Sequence, residues 1–393
     1  MRGRGALAWT PYATVPAVRV LGPDILWYFR NLTVRTRTIL VSLLAAVVFA
    51  WFLSHANLAG VWVQVRQARL DLLVASFGAV VLTYVIRAWR WQYLLSPIGP
   101  TRFRTAFRTT VIGFAALGVL PARAGDVLRP YLLARQEGLN FSSTIATILL
   151  ERVLDLMAVL VLLAIYVWWI VDRSTIPAAL LGPIDVSSAA AAALAVVLMA
   201  LMWVLATHPE RIGRLVLRAG GVLPHALAER LAGLARTFSS GFAVAREPRA
   251  LMAAVIWSFP LWLAIAAEVW LVTVAFGIFM PFSGTFLVQA LLVIGVAVPT
   301  PGAVGTYHEA YRIGVTTFFG AAEDAAVAAA IVTHAISYVP VVLTGMLFMI
   351  QDGLSFGRLQ ELTGAPPVTR AHQTAPEEVP DTHEMSVLRP SGR

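Results

Sequence analysis

Three charged residues stand within one long apolar stretch of this 393-residue sequence: Glu151, Arg152 and Asp155. A charge at the centre of a bilayer costs about 2.5–3.5 kcal/mol on insertion scales, so each one needs a physical reason. On a helix, Glu151 and Asp155 share a face because they are four residues apart, and Arg152 lies three residues before Asp155. Two interpretations stay open. Either the three residues neutralise one another and hold helices together, or the carboxylates position Arg152 to bind an anionic headgroup.

A second group of charges adjoins a break in the apolar pattern that contains Pro121 and Gly125. Arg123, Asp126 and Arg129 lie here, around the predicted N-terminus of a half-helix. Two guanidinium groups beside free backbone N–H groups suit a phosphate, because guanidinium forks bind phosphate bidentately. The alternative is that Asp126 caps the half-helix while the Arg side chains extend to headgroups at the membrane surface.

A similar break covers residues 299–305 and contains Pro299, Pro301, Gly302 and Gly305. Directly after it, Thr306 and Glu309 match a capping box in which Thr is the N-cap. Glu309 is also close to Arg312, which leaves a proton-coupling or substrate-amine role open. His308 has no second His at helical spacing, so no zinc site is predicted, and no other metal or cofactor.

Other polar residues in apolar stretches receive structural interpretations. Glu268 and His334 are single polar residues and are predicted to bridge helices. The segment Arg87-Ala-Trp-Arg-Trp91 combines cationic and aromatic side chains, which is typical of an anchor at headgroup level.

The composition indicates which elements position these residues. Hydrophobic residues make up 59% of the chain and charged residues 13%, whereas soluble domains contain about 25% charged residues. All 30 basic residues are Arg, and most flank the apolar runs, as in membrane proteins. The net charge of +9 therefore indicates orientation, not a nucleic-acid partner. The sequence has no Cys and no Lys, which excludes disulfides, thiolate metal sites, Schiff bases and a P-loop.

Six apolar runs are long enough to span a bilayer as helices. They cover residues 38–54, 71–95, 144–171, 189–206, 250–276 and 325–350. The Arg- and Pro-containing segment 1–37 is predicted to be cytoplasmic and to lack a cleaved signal peptide. The Pro-rich stretch 353–393 is predicted to be a disordered cytoplasmic tail. The sequence thus predicts an all-α polytopic membrane domain over 38–352.

The two interrupted stretches, 106–136 and 284–319, are predicted to form re-entrant helical hairpins. The alternative for each is a spanning helix followed by a surface loop. With six spans and two hairpins, 25 of the 30 Arg residues lie on one side, including those of the amphipathic segment 207–249. The positive-inside rule therefore favours the hairpins and places both termini in the cytoplasm.

This topology divides the domain into two similar units. Repeat one covers about 71–171 and repeat two about 250–350, each with a hairpin between two spans. The hairpins enter from opposite sides, and Val111-Ile-Gly113 before the first break matches Val293-Ile-Gly295 before the second. Opposed units of similar sequence indicate inverted repeats, an architecture typical of transporters.

Four of these segments together resemble the lysylphosphatidylglycerol synthase transmembrane-region family, also called the flippase-like domain family. They are Arg87-Ala-Trp-Arg-Trp91, Leu120-Pro-Ala-Arg-Ala-Gly-Asp-Val-Leu-Arg129, Glu151-Arg-Val-Leu-Asp155 and Pro299-Thr-Pro-Gly-Ala-Val-Gly-Thr-Tyr-His-Glu309. Three positions depart from the family's pattern. Asp126 replaces the usual Glu, Gly118 stands where Asn is frequent, and Ala303 replaces a second Gly. A role of that Asn does not carry over to this chain.

The resemblance implies a lipid-flipping membrane region without the soluble aminoacyl-transfer domain of the longer family members. We therefore expect a bacterial inner-membrane protein, not an enzyme, that moves an anionic phospholipid or a polyprenyl-phosphate-linked sugar between leaflets. Arg123, Arg129 and Arg152 would contact the lipid phosphate, with Asp155 and Glu309 as charge partners. Two alternatives stay open: an accessory subunit that recruits a separate lipid synthase or glycosyltransferase, and a membrane-embedded transferase that acts on a lipid phosphate.

Overall fold

The computed structural model of the protein describes most of the predicted membrane domain. It covers residues 46–54, 57–119, 123–171, 247–298 and 300–353, with residue 43 and scattered positions between 182 and 200. The predicted N-terminal segment 1–37, almost all of the amphipathic segment 207–249 and the tail beyond Gly353 lie outside the described residues. Pro121 and Pro299 of the two breaks lie outside them as well.

The described part of the chain contains helices and no strand, which confirms the predicted all-α class. Its helices are α1 Leu58–Gln67, α2 Leu70–Leu95, α3 Phe103–Val119, α4 Gly125–Glu137, α5 Phe141–Ile165, α6 Pro248–Ala275, α7 Thr285–Ala297, α8 Thr306–Phe319 and α9 Glu323–Gln351. A π-helical turn, Tyr166–Ile170, extends α5. Short 3-10 turns at Phe282–Gly284 and Pro301–Ala303 flank α7.

Four of these helices are long and apolar enough to cross a membrane: Leu70–Leu95, Phe141–Ile170, Arg249–Ala275 and Glu323–Gln351. They confirm the predicted spans 71–95, 144–171, 250–276 and 325–350, so the protein is a multi-pass membrane protein. The predicted span 38–54 is described only in its second half, where helix Ala46–Leu53 bends by 81° into α1. The predicted span 189–206 is described only at scattered helical positions.

The helices α2 and α6 pack along each other in opposite directions. At one end, the backbone N–H of Arg69, just before α2, donates to the carbonyl oxygen of Ala275 at the end of α6, at 3.0 Å. At the other end, Leu94 and Leu95 of α2 belong to one buried cluster with Ala254 of α6. Because both ends are fixed by contacts, the first helices of the two predicted repeats are antiparallel.

The helices of the two predicted hairpins, α3–α4 and α7–α8, also begin at opposite ends of the bundle. The start of α3 lies beside the end of α9, where Arg108 forms an ion pair of 2.7 Å with Asp352. The start of α7 lies beside the end of α5, where Phe286 packs with Leu162 and Tyr166. Helix α3 follows α2, and α7 follows α6, which runs antiparallel to α2. The first residues of the pairs α3–α4 and α7–α8 therefore lie at opposite ends of the bundle.

The two breaks meet inside the bundle, and histidines hold the second one. A Cβ atom on Gly302 would lie only 3.1 Å from the carbonyl oxygen of Gly118 in the first helix pair. In the second break, the Gly302 carbonyl oxygen lies 2.8 Å from Nε2 of His334. The backbone N–H of Gly305 donates to Nδ1 of His308 at 3.2 Å. Both glycines have positive φ angles, 59° and 86°, which glycine adopts without steric cost.

The predicted capping box at α8 is therefore wrong. The N-cap is Gly305, one residue before the predicted Thr306, and its backbone N–H donates to the ring of His308 and not to the carboxylate of Glu309. The hydroxyl of Thr306 contacts the Thr300 hydroxyl at 3.2 Å and does not cap the helix. His334, which was predicted to bridge helices, instead joins α9 to the backbone of the second break.

Glycines at matching positions allow the helices of each pair to cross closely. In the first pair, a Cβ on Gly113 of α3 would lie 2.6 Å from the Cβ of Arg129 in α4, and a Cβ on Gly125 of α4 would overlap the carbonyl oxygen of Gly113. In the second pair, a Cβ on Gly295 of α7 would lie 2.7 Å from the carbonyl oxygen of Thr306 in α8. Gly113 and Gly295 are the glycines of the matching Val-Ile-Gly segments, so that short similarity has a physical function.

Substitution of Gly125 by Ala tests the close crossing of α3 and α4. We expect Gly125→Ala to destabilise the detergent-solubilised protein by about 1–3 kcal/mol, because the new methyl group overpacks the backbone of α3. Thermal unfolding followed by size-exclusion chromatography measures the effect. Gly78→Ala is the matched control, since a Cβ there meets nothing within 4 Å. Equal midpoints for the two variants would contradict the close crossing.

Candidate functional site

A network of buried ion pairs joins α2, α4 and α5. The carboxylate of Glu151 is fully buried, and its Oε1 lies 2.8 Å from Nη1 of Arg129, 3.5 Å from Arg87 and 3.7 Å from Arg90. One α5 carboxylate thus faces three guanidinium groups, two from α2 and one from α4. This explains why Glu151 sits within an apolar helix, because removal of it would leave several buried cations without a counter-charge.

The second α5 carboxylate, Asp155, connects the network to α6. Its Oδ1 accepts from Nη1 of Arg90 at 2.7 Å and from the indole N–H of Trp262 at 3.2 Å. The same Nη1 of Arg90 also donates to the hydroxyl of Ser258 in α6, at 2.9 Å. Arg90 therefore lies completely buried between α2, α5 and α6.

The prediction of an interfacial anchor at Arg87–Trp91 is wrong for three of its members. Arg87 is 8% exposed, whereas Arg90 and Trp91 are fully buried. The guanidinium group of Arg129 lies 3.9 Å above the Trp91 ring. Only Trp89 points outward, at 46% exposure. The spacing contained the signal: Arg87, Arg90 and Trp91 are three and four residues apart, so they share one helix face, opposite Trp89.

Asp126 binds arginines and does not cap α4, contrary to one of the two interpretations from the sequence. The N-cap position is Ala124, which has no capping side chain. The Asp126 carboxylate accepts from Nη2 of Arg152 at 2.5 Å and from Nε of Arg123 at 3.1 Å. It therefore ties the first break to α5. The predicted trio within α5 is likewise not self-contained, since Glu151 pairs with Arg residues of other helices.

A cavity of about 400 Å³ lies where the two helix pairs meet. Its wall includes the charged residues Arg87, Arg123, Arg152 and Asp155, together with Glu268 and Gln289. Most of the remaining lining is apolar or aromatic, including Phe114, Trp262, Tyr307 and Tyr338. The structure thus brings Arg123, Arg152 and Asp155 together as predicted and adds Arg87, which the sequence interpretation placed elsewhere.

Four other predicted site residues do not line this cavity: Asp126 and Glu151, whose ion pairs are described above, and Arg129 and Glu309. The side chain of Arg129 is only 3% exposed and forms an ion pair with Glu151, so it stabilises the network without facing the cavity. Glu309 forms a separate cluster, where Arg312 donates to it at 2.6 Å and to Glu323 at 3.0 Å. The predicted proximity of Glu309 to Arg312 is confirmed, but Glu309 does not act as a charge partner in the cavity.

The network has more positive than negative groups. The network contains five guanidinium groups and three carboxylates. The guanidinium groups belong to Arg87, Arg90, Arg123, Arg129 and Arg152, and the carboxylates to Asp126, Glu151 and Asp155. The excess is two positive charges.

Several polar atoms of this region also lack partners. Within the described residues, the Nε atoms of Arg87 and Arg152 and the Oε1 atom of Gln289 are buried without a hydrogen-bond partner. Buried polar atoms without partners are costly. Separately, the guanidinium groups of Arg87, Arg123 and Arg152 line the cavity, and guanidinium groups suit an anion. No three His, Asp or Glu side chains of the described residues lie close enough to hold a metal ion.

The long apolar helices and the buried ion-pair network with its cavity define the class: a multi-pass helical membrane protein with a polar site inside its membrane region. The chain belongs to the lysylphosphatidylglycerol synthase TM region family, which matches residues 38–345. This match confirms the resemblance found in the sequence.

The sequence of one relative aligns with most of the chain. Glycosyltransferase AglD of Haloferax volcanii is 25% identical over 368 residues, which are 85% of this chain. The match spans 58% of the length of that relative. The two names connect the chain with proteins of lipid and glycosyl transfer.

Removal of the Glu151 charge tests whether it holds the network together. We expect Glu151→Gln to destabilise the protein by about 3–5 kcal/mol, because three guanidinium groups lose their shared counter-charge. The double variant Glu151→Gln with Arg129→Gln should recover part of the loss, since it removes one of those cations. Thermal unfolding in detergent measures both.

Asp71→Asn is the matched control for this experiment. Asp71 pairs with Arg69, the side chains of Arg69 and Asp71 are 62% and 64% exposed, and such exposed pairs contribute little to stability. A Glu151→Gln midpoint equal to that of this control would contradict the role of Glu151. A double variant with the same unfolding midpoint as Glu151→Gln alone would contradict the direct coupling between Glu151 and Arg129.

Proposed function

We propose that the protein is a lipid translocator that moves the phosphate-bearing headgroup of an anionic phospholipid or of a polyprenyl-phosphate-linked sugar between leaflets. One observation carries this proposal: a cavity of about 400 Å³ at the junction of the two breaks, with three guanidinium groups in its wall. Cavities of this size accommodate a small ligand. The lipid chains would therefore remain in the bilayer while the headgroup passes through the protein.

The arginines divide into supporting and binding residues. Arg90 and Arg129 are buried and pair with Asp155 and Glu151, so they fix the position of the cavity wall. Arg152 and Arg123 have side chains that are 32% and 45% exposed, and they share one carboxylate, that of Asp126. A phosphate can replace some of the hydrogen bonds that these two arginines make with the Asp126 carboxylate, because both groups accept bidentate bonds from guanidinium.

The antiparallel packing of the two helix units supports an inverted-repeat architecture with six spans and two re-entrant hairpins. In that arrangement, hairpin α3–α4 enters from the cytoplasm and hairpin α7–α8 from the outside, and both breaks lie at the midplane. Transporters with such repeats alternate access by rocking one unit against the other around a central site. The charge distribution supports cytoplasmic termini in a bacterial inner membrane.

The two other candidate functions have weaker support. The similarity to glycosyltransferase AglD favours a glycosyl transferase, but the carboxylates of Asp155 and Asp126 are occupied by ion pairs. An accessory role would act through segment 207–249. Turnover of a lipid-linked sugar donor by the pure protein would favour the transferase. Co-purification of a separate synthase, with no transport by the isolated chain, would favour the accessory role.

Reconstitution into liposomes tests the transport function. We expect the purified protein to move fluorescent phosphatidylglycerol or a polyprenyl phosphate between leaflets, and Arg123→Gln or Arg152→Gln to slow this roughly tenfold or more. The reason is that a hydrogen bond to a charged group contributes about 1.5–3 kcal/mol. Arg123→Gln is the safer variant for folding, because its side chain is half exposed.

Arg135→Gln is the matched control for transport. Arg135 is exposed near the C-terminal end of α4, the helix that follows the first break, and it does not line the cavity. We expect normal rates from this variant. Absence of lipid movement by folded wild-type protein, with either lipid, would contradict the translocator function.

Accessibility labelling tests the opposed hairpins. The native chain has no Cys, so single cysteines can be introduced at Gln136, at the end of α4, and at Ala322, just before α9. Both positions are exposed in the structure. We expect an impermeant thiol reagent to label position 136 only from the cytoplasm and position 322 only from the outside. Labelling of both from one side would contradict the inverted repeats.

A further inference from the structure

Glu268 is a buried carboxyl group that differs from the other carboxyls of the site. It lies in α6, is 5% exposed and lines the cavity. Its Oε1 accepts a hydrogen bond from the hydroxyl of Ser337 in α9. Glu151 and Asp155 each face at least two arginines, whereas no ion pair joins Glu268 to any Arg or His of the described residues.

The groups that face Glu268 supply no positive charge at close range. The neighbouring cavity wall contains Tyr84 of α2, Gln289 of α7, Tyr307 of α8, and Ser337 and Tyr338 of α9. The charged residues that line the same cavity are Arg87, Arg123, Arg152 and Asp155, and none of these arginines forms an ion pair with Glu268. A buried carboxylate without a cation is costly, so a bound proton or a cationic ligand must compensate it.

We propose that Glu268 is a proton-binding site, and that one proton enters with each anionic headgroup. This inference rests on the proposed lipid transport. A phosphate brought to Arg87 and Arg152 adds a negative charge to the cavity that contains Glu268. Two negative charges in one water-poor cavity repel each other strongly, and a proton on Glu268 removes that repulsion. Proton binding and headgroup binding therefore favour each other, and thermodynamic linkage makes the effect reciprocal.

The proton balance of one transport cycle is simple. On the entry side, a proton from water binds a carboxylate oxygen of Glu268 as the phosphate monoanion binds the arginines. On the exit side, the headgroup leaves and the proton returns to water. One proton and one negative charge thus cross together, and no net charge moves across the membrane.

The position of Glu268 allows its protonation to affect the packing of both units. Its backbone carbonyl accepts from the hydroxyl of Ser76 in α2 at 3.3 Å, and its side chain contacts Ser337 in α9. The residue therefore lies where α2 of the first unit meets α6 and α9 of the second. A change of charge at this junction biases the relative position of the two units.

Two histidines near this site also titrate near neutral pH in water and must be distinguished from Glu268. His334 stacks on Tyr338 at 4.3 Å between ring centroids and contacts the Gly302 carbonyl through Nε2. His308 accepts from the Gly305 backbone through Nδ1. Both rings are engaged by the backbone of the second break, so they serve the fold. His334→Gln keeps a donor for Gly302 and tests whether this ring contributes to pH dependence.

Equilibrium binding to the full-length protein in detergent is the first test. We expect short-chain phosphatidylglycerol to bind roughly tenfold more tightly at about pH 6 than at about pH 8, a factor within the usual range of coupling between sites. Glu268→Gln should bind equally well at both pH values, with the affinity of the wild type at the lower pH. His334→Gln, and Glu323→Gln outside the cavity, should retain the wild-type pH dependence.

The second test is transport in liposomes with an imposed pH gradient. We expect wild-type protein to drive phosphatidylglycerol towards the alkaline side, and Glu268→Gln to move it without response to the gradient. Transport that ignores the gradient in the wild type, or a Glu268→Gln variant that still follows it, would overturn the proton site but not the transport function. No transport at all would instead overturn the proposed function.

A cationic ligand at Glu268 is the competing explanation, and a third measurement separates it. If only amine-bearing phospholipids bind, at every pH, and Glu268→Gln abolishes that preference, the residue contacts the amine and the proton site is wrong. Equal binding of phosphatidylglycerol, which has no amine, supports the proton site.

Discussion

The cost of placing charge inside a membrane is the constraint on which this structure depends. An isolated charge there is unfavourable by several kcal/mol, so charged side chains must meet one another. Glu151 and Asp155 meet arginines from α2 and α4, and Asp126 meets Arg123 and Arg152. These pairs attach α4 and the first break to the long helices around them. The same pairs fix the wall of the cavity, so folding and the candidate function share one set of contacts.

The two helix units resemble each other in backbone and differ in chemistry. Each has a helix pair that crosses at a glycine of a Val-Ile-Gly segment. The first break carries arginines paired with carboxylates, whereas the second is held by two imidazole rings and two glycines with positive φ. One unit therefore supplies the charge for an anion, and the other supplies a neutral wall of ring and hydroxyl groups. Glu268 is the acidic exception on that second wall.

Features set by local sequence were predictable. The four long helices follow from the length of apolar runs, and the breaks follow from Pro and Gly, because both signals act within a few residues. The chemical importance of Glu151, Arg152 and Asp155 followed from the cost of charge in an apolar run. The family was also recognisable from four short segments.

Features set by contacts between distant residues were not predictable. Arg87 and Arg90 carry the same pattern as a surface anchor, and only the position of α5, some 60 residues later, makes them buried partners. Asp126 fits an N-cap locally, but Arg152 competes successfully for its carboxylate. For Arg87, Arg90 and Asp126, the partner is a charged residue that only the tertiary structure brings close. The cap of α8 is a different case, because it is local but shifted by one residue, from Thr306 to Gly305, with His308 as the acceptor.

An experimental structure of the protein in lipid nanodiscs that contain phosphatidylglycerol tests the central claim most directly. We expect lipid phosphate in the cavity, within about 4 Å of the guanidinium groups of Arg152 and of Arg87 or Arg123. A cavity filled by side chains, with lipid phosphate found only at the membrane surface, would contradict it.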